Sequence, residues 1–189
     1  LASLPELDLD LEAGPLAQTR IFAITGPTGA GKSTLLDALC LPLFDRVPRL
    51  ARVRGATSAD EGLPASDPRG LMRRGTAEAW AEVDFVGVDA RRYRARWEAW
   101  RARRRPEGRL QDQRVRLFAL APEGPRELTE GKKTETLEAI RARVGLGFTE
   151  FRRAVLLAQG EFDAFLAARP DERAALLERM TGTERFADL

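Results

Sequence analysis

The stretch from Ile21 to Thr34, IFAITGPTGAGKST, constrains this chain more than any other. Ile21, Phe22, Ala23 and Ile24 read as a short buried strand, and Thr25 leads into a glycine-rich turn. Gly26, Gly31, Lys32 and Ser33 satisfy G-x-x-x-x-G-K-[ST], and an apolar helical run, STLLDALCLPLF, follows directly. Strand, glycine loop and helix in that order form the setting that a phosphate-binding loop requires. Glycine lets the backbone curl so that successive N–H groups face one concavity, which a bulky side chain would fill. The helix beginning near Lys32 adds the positive end of its dipole. On this reading Lys32 reaches the β- and γ-phosphates of a nucleoside triphosphate and the Ser33 hydroxyl ligates Mg²⁺. Pro27, Thr28, Gly29, Ala30 and Thr34 complete the cradle. A chance match in a glycine-containing turn would have no reason to carry both the strand and the helix.

Length and composition bound the rest. The 189 residues suffice for one substantial core, with room for an inserted lobe. Hydrophobic residues at 43% and charged residues at 32% fit a globular protein. No apolar run reaches the roughly 18 residues of a membrane span. The opening LASLPELDLD lacks the basic start and apolar run of a signal peptide, and no membrane partner is expected. One cysteine, Cys40, and no histidine leave no basis for a disulfide framework or a Cys/His zinc site within these residues. Cys40 sits in the apolar helix and reads as a small core residue in a reducing compartment. The chain does not start with Met and reads as a piece of a longer protein.

Periodicity organises the remainder. Leu7, Leu9 and Leu11 alternate with Asp8 and Asp10, the period of a half-exposed strand, closed at Gly14-Pro15. Residues 1–45 thus form the strand and phosphate-loop unit, with the helix running from Lys32 to about Phe44. Residues 46–76, rich in Pro, Gly, Ser and Asp, form a long irregular connection. Residues 77–130 form an antiparallel β lobe. Ala79, Ala81, Val83 and Phe85 mark one strand, and Tyr93, Ala95 and Trp97 the next, with a turn around Gly87 to Ala90. A turn at Pro106-Glu107-Gly108 then precedes a strand through Val115, Leu117 and Ala119. Residues 131–182 are a helical segment: Leu137, Ala139, Ile140 and Val144 mark one apolar side, and Gly145 and Gly147 end it. FTEFRRAVLLAQGEF then delivers Gln159 and Gly160 to an exposed turn, and Pro170-Asp171-Glu172 opens a further helix. Residues 183–189 begin another helix.

Charge is uneven. From Arg91 to Arg116 there are eleven arginines against Glu98, Glu107 and Asp112, whereas the chain as a whole carries only +2. Trp97 and Trp100 are interleaved with them. Two readings stand: a surface for nucleic-acid phosphates, or an exposed hairpin kept soluble by charge over packed tryptophans.

These residues carry a family resemblance. FAITGPTGAGKSTLLDALCLPLF, VPRL, LMRRGTAEAWAEVDF, YRARW, RPEGRLQ and RRAVLLAQGEFDAFLAARPDERAALLERMTGTERF occur in this order. Together they resemble the SbcC family, the ATPase subunits of SbcCD-type repair nucleases, in the SMC-like branch of ABC-type ATPases. The resemblance implies an α/β fold: an ABC-type phosphate-loop half-domain with the β meander inserted and the root of a coiled coil at its C-terminal end. It places Gln159 on the family's Q-loop glutamine, helping to hold Mg²⁺ and the attacking water. A neutral amide can do both without adding charge. It places Met72, Arg73 and Arg74 where the family approaches the base and ribose of ATP. Lys32 and Gln159 are then the catalytic candidates, and Ser33 and Gln159 the metal candidates.

The absences carry equal weight. No LSGGQ-like signature and no acidic Walker B strand end occur in these residues. In the family they lie beyond the coiled coil, so the resemblance implies a C-terminal half of the same head as a partner. It also implies a second copy of the head joined around ATP and Mg²⁺, an SbcD-like metallophosphoesterase nuclease, and double-stranded DNA ends or hairpins as the target. The compartment would be the cytoplasm, at the nucleoid. The resemblance also implies a start some way into the family's first strand, and lacking Walker B these residues are expected to bind ATP poorly alone and to hydrolyse it hardly at all. Two rivals remain: an SMC-like head that binds DNA without a nuclease, and a phosphate-loop kinase, which has no use for the arginine-rich meander.

Overall fold

The computed structural model describes residues 6–19, 22–50, 63–129 and 131–154. A four-stranded antiparallel meander, β1 (Glu78–Val86), β2 (Arg92–Trp100), β3 (Arg114–Ala121) and β4 (Gly124–Glu127), runs in sequence order across one sheet. Helix α1 (Lys32–Phe44) packs against β1 and β2, and α2 (Lys133–Val144) against β3 and α1. A further helical segment, α3, covers Phe148–Ala154.

The sheet register explains the two layers. Ala81 pairs with Trp97, Ala79 with Ala99, and Trp97 with Val115, so these side chains share one face. That face is made of small residues, Ala79, Ala81, Ala95 and Ala99, around fully buried Trp97 and Leu117. Small side chains let a helix lie close on the sheet, and one large indole fills the space between them. Helix α1 supplies the opposing wall through Cys40, Leu41, Leu43 and Phe44, joined by Val47, Ile140 and Phe148. The rings of Phe44 and Phe148 meet edge to face at 5.7 Å. Because α1 is apolar on nearly all sides, it can only be stable inside such a layer. Its Pro42 falls in the last turn, and Asp45 closes the helix in a left-handed conformation with φ 50°, its N–H bonding the Leu41 carbonyl at 2.9 Å.

The helices at Lys32 and Thr134 and three of the four strands form where periodicity expects them. Two expected strands do not. Residues 6–10 carry no strand pairing, and Gly14–Gln18 forms a short 3-10 turn in place of a closing loop. Phe22 to Ile24 is likewise unpaired, and Leu7, Leu9, Leu11, Phe22 and Ile24 are exposed. A strand is a shared object: alternation selects a face, but the ladder needs a neighbour to receive its N–H and C=O groups. Among the described residues neither segment has that neighbour. The connection of 46–76, where described, is irregular apart from a 3-10 turn at Pro68–Leu71. The expected C-terminal helices, the coiled-coil root and the Gln159 turn lie outside the described residues.

Candidate nucleotide site and the charged lobe

The loop before α1 has the backbone that its glycines allow. Gly29 and Gly31 lie at φ 85° and 89°, in the left-handed region that an L side chain rarely adopts, and Gly31 is the residue from which α1 starts. Leu35 N–H is the donor that reaches back to the Gly31 carbonyl, at 3.0 Å. No side chain caps α1, and its first turn holds no acidic residue. The N–H groups of an uncapped first turn have no partner within the helix. Their partial positive charge faces the loop. Lys32 folds back over the same loop, its Nζ donating to the carbonyl oxygens of Gly26 at 2.7 Å and Pro27 at 2.8 Å. Two neutral carbonyls leave the ammonium charge uncompensated at the mouth of the loop. The Ser33 side chain is exposed beside it, a hard oxygen of the kind Mg²⁺ prefers. Glycine cradle, open helix start, lysine and hydroxyl together fit a polyphosphate with its Mg²⁺.

The helix carrying these groups is held from below. Asp37, one turn after Ser33, is buried and forms an ion pair with Arg49 from the connection that follows. Burial pushes its carboxyl above the ordinary value, and the Arg49 guanidinium opposes that shift. Burial, with the Asp37 charge nearby, pushes the Cys40 thiol up to about 12, which makes it an inert core group.

At the other end, the Asp45 carboxylate accepts from Trp97 Nε1 at 2.8 Å and from the Gln113 amide at 3.0 Å, and pairs with Lys133 Nζ at 2.7 Å. One residue therefore ties the end of the phosphate-loop helix to β2, to the approach to β3 and to α2. Sequence reasoning passes over Asp37 and Asp45, because no local pattern distinguishes them from other helix carboxylates.

Met72, Arg73 and Arg74 lie in the turn leading into β1. Met72 is buried and its N–H donates to the Arg69 carbonyl at 3.0 Å, while Arg73 and Arg74 are exposed. The Arg73 carbonyl accepts from both the backbone and the hydroxyl of Thr76, at 3.2 and 2.7 Å. Gln159 lies outside the described residues.

The arginine-rich sheet is not a bare cationic surface. On its outer face Arg94 pairs with Asp84 at 2.6 Å and Glu82 at 3.3 Å, and Arg96 with Glu98 at 2.7 Å and Glu82 at 3.0 Å. Arg116 adds Glu98 at 2.8 Å. Arg104 pairs with Glu78. The guanidinium of Arg96 also stacks 4.7 Å above Trp80, which is half exposed. Glu78, Glu82 and Asp84 sit on β1, outside the Arg91–Arg116 stretch, and cross-strand pairing brings them to the arginines. Trp97 is packed beneath the sheet, as the hairpin reading expects.

Comparison with known proteins agrees with this picture. An AAA domain family model matches residues 3–188. The chain is 49% identical over 193 residues to the SbcC subunit of the SbcCD nuclease of Pseudomonas aeruginosa, covering 100% of this chain and 16% of that protein. It is 49% identical over 181 residues to the corresponding SbcCD protein of Rhodobacter capsulatus, covering 93% and 14%. A DNA double-strand break repair Rad50 ATPase of Methanopyrus kandleri is 30% identical over 169 residues, covering 88% and 16%. The chain thus spans about one sixth of the length of these relatives.

Proposed function

The chain belongs to the AAA domain family, and on that premise we propose that it is the ATP-binding N-terminal part of an SbcC-type ATPase head. The observation that carries this reading is the uncapped start of α1 with Lys32 held over the loop by the Gly26 and Pro27 carbonyls. A γ-phosphate oxygen is a stronger acceptor than either carbonyl, so Lys32 exchanges a neutral contact for a charged one when a triphosphate enters. The backbone N–H groups at the start of α1 bind the remaining phosphate oxygens. Ser33 would hold Mg²⁺, which when bound neutralises phosphate charge. Gln159 would orient water, and the turn at Met72, Arg73 and Arg74 would contact the base and ribose.

Hydrolysis also needs a second carboxylate and a signature segment, which we assign to a C-terminal half of the same head and to a second copy engaged across ATP. ATP-driven engagement of the two heads would then regulate an SbcD-like nuclease on double-stranded DNA ends and hairpins. The names of the similar proteins, a nuclease component and a break-repair ATPase, support this assignment.

The test is steady-state ATPase activity of the head completed by its C-terminal half, with and without duplex DNA. Activity that rises with DNA and falls at least ~100-fold in Lys32→Ala and in Gln159→Ala supports the reading. The 189 residues alone are expected to turn over almost no ATP. Comparable turnover by this chain alone, or stimulation by a small acceptor in place of DNA, contradicts it.

A further inference from the structure

The ion pairing of Arg94, Arg96 and Arg116 does not extend to one corner of the lobe. Where the β1–β2 turn, the end of β3, β4 and the last turn of α2 meet, a cleft of about 400 Å³ is lined by Arg91, Arg92, Arg126 and Arg143. No carboxylate lines it. Tyr93, Leu120 and Leu128 supply its less polar walls. Arg92 is committed, its fork held by Glu12 at 2.6 and 3.2 Å. Arg91, Arg126 and Arg143 have no ion pair among the described residues, in contrast to Arg94, Arg96 and Arg116 elsewhere on the same sheet.

Arg143 is held in place independently of any ligand. Its carbonyl accepts from Val88 N–H at 2.8 Å, its Nη1 donates to the Ala139 carbonyl at 2.9 Å, and its guanidinium lies 5.1 Å from the centre of the Tyr93 ring. Tyr93 is in turn fixed by its hydroxyl, which donates to Asp89 at 2.7 Å. The Arg143 Nε–H is nevertheless buried with no acceptor. A buried donor without a partner is costly, more so when charged. Like charges gathered in one concavity add to that cost. An anion with several oxygens in the cleft would offset the gathered positive charge.

We propose that this cleft is a second anion site, sharing no residue with the phosphate loop, which takes a dianionic phosphate group. The planar guanidinium forks suit the paired oxygens of a phosphate. The volume admits the phosphate with a small organic body against Leu120 and Leu128. Two sources share this chemistry: a free phosphate compound, or the terminal phosphate of a polynucleotide.

The probe is pyrophosphate, titrated calorimetrically at about 0.15 M salt into the full-length protein carrying Lys32→Ala, which weakens binding at the phosphate loop roughly 10- to 150-fold. One pyrophosphate per chain should still bind. Adding Arg126→Gln, a change on an exposed edge strand, should weaken it at least ~10-fold. Arg91→Gln should do the same, while Arg114→Gln, on the outer face, should leave it unchanged. Loss of all binding with Lys32→Ala, or equal effects of Arg126→Gln and Arg114→Gln, would overturn the proposal. Competition by duplexes with a 5′-phosphate or a 5′-hydroxyl separates the sources. Displacement by the phosphorylated duplex alone assigns a polynucleotide end, and displacement by neither assigns a free anion. Equal displacement by both means general backbone contact and also overturns the proposal.

Discussion

Lys32 and Asp67 show two ways in which one side chain is fixed by its neighbours. Lys32 is legible in the sequence because everything that defines it, Gly26, Pro27 and Gly31, lies within six positions along the chain. The Asp67 setting is legible only in part, because its partner Arg69 lies two positions on but also reaches the remote Asp112. The Asp67 Oδ1 accepts from the Arg69 backbone at 2.9 Å, and its carboxylate takes the Arg69 side chain, whose Nη1 reaches on to Asp112 at 2.9 Å. Burial raises the Asp67 pKa, but the hydrogen bonds and charge of Arg69 outweigh it, so the carboxyl lies below its ordinary 3.8. A depressed folded-state pKa gives stability that is present above the unfolded value and lost as pH falls through the folded one. Asp67→Asn should therefore cost about 1–3 kcal/mol at pH 7. The difference from the parent should vanish as the pH is lowered below 3.8 and through the depressed value. Urea denaturation across that range checks this, and a pH-independent difference would contradict it.

At the scale of elements, the meander is readable because small and aromatic residues alternate along β1 and β2. The short β4 escapes a reading of pattern, since Gly-Pro-Arg-Glu carries no strand signal and pairs only because β3 offers it an edge. The strands expected at Leu7–Leu11 and Ile21–Ile24 fail, where described, for the opposite reason: pattern without a neighbour. The charge of the lobe misleads in the same way, as the acids on β1 that neutralise Arg94 and Arg96 lie one strand away. Asp45 is the joint between these elements, serving α1, β2 and α2 together. Asp45→Ala would leave the Trp97 N–H buried without an acceptor and would force alanine into φ 50°. The expected loss is roughly 2–4 kcal/mol. Asp45→Asn, which keeps an acceptor oxygen and tolerates that conformation, should lose about half as much. Thermal and chemical unfolding of the two variants measures this, and a loss below about 0.5 kcal/mol for alanine would show that the joint is not used.

Across the whole molecule, one helix connects two surfaces of different character. Its start opens onto the glycine loop and Lys32, and its end is clamped into a sheet that pairs Arg94, Arg96 and Arg116 with carboxylates and gathers Arg91, Arg126 and Arg143 at one corner. Among the described residues no helix is long and apolar enough to cross a membrane. We infer that the loop before α1 holds a nucleoside triphosphate through Lys32. Equilibrium binding of ATP with Mg²⁺ to the completed head, comparing the parent with Lys32→Ala, decides this. Loss of a charged hydrogen bond of about 1.5–3 kcal/mol predicts roughly 10- to 150-fold weaker binding in the variant. Equal affinity in the two proteins would contradict the account.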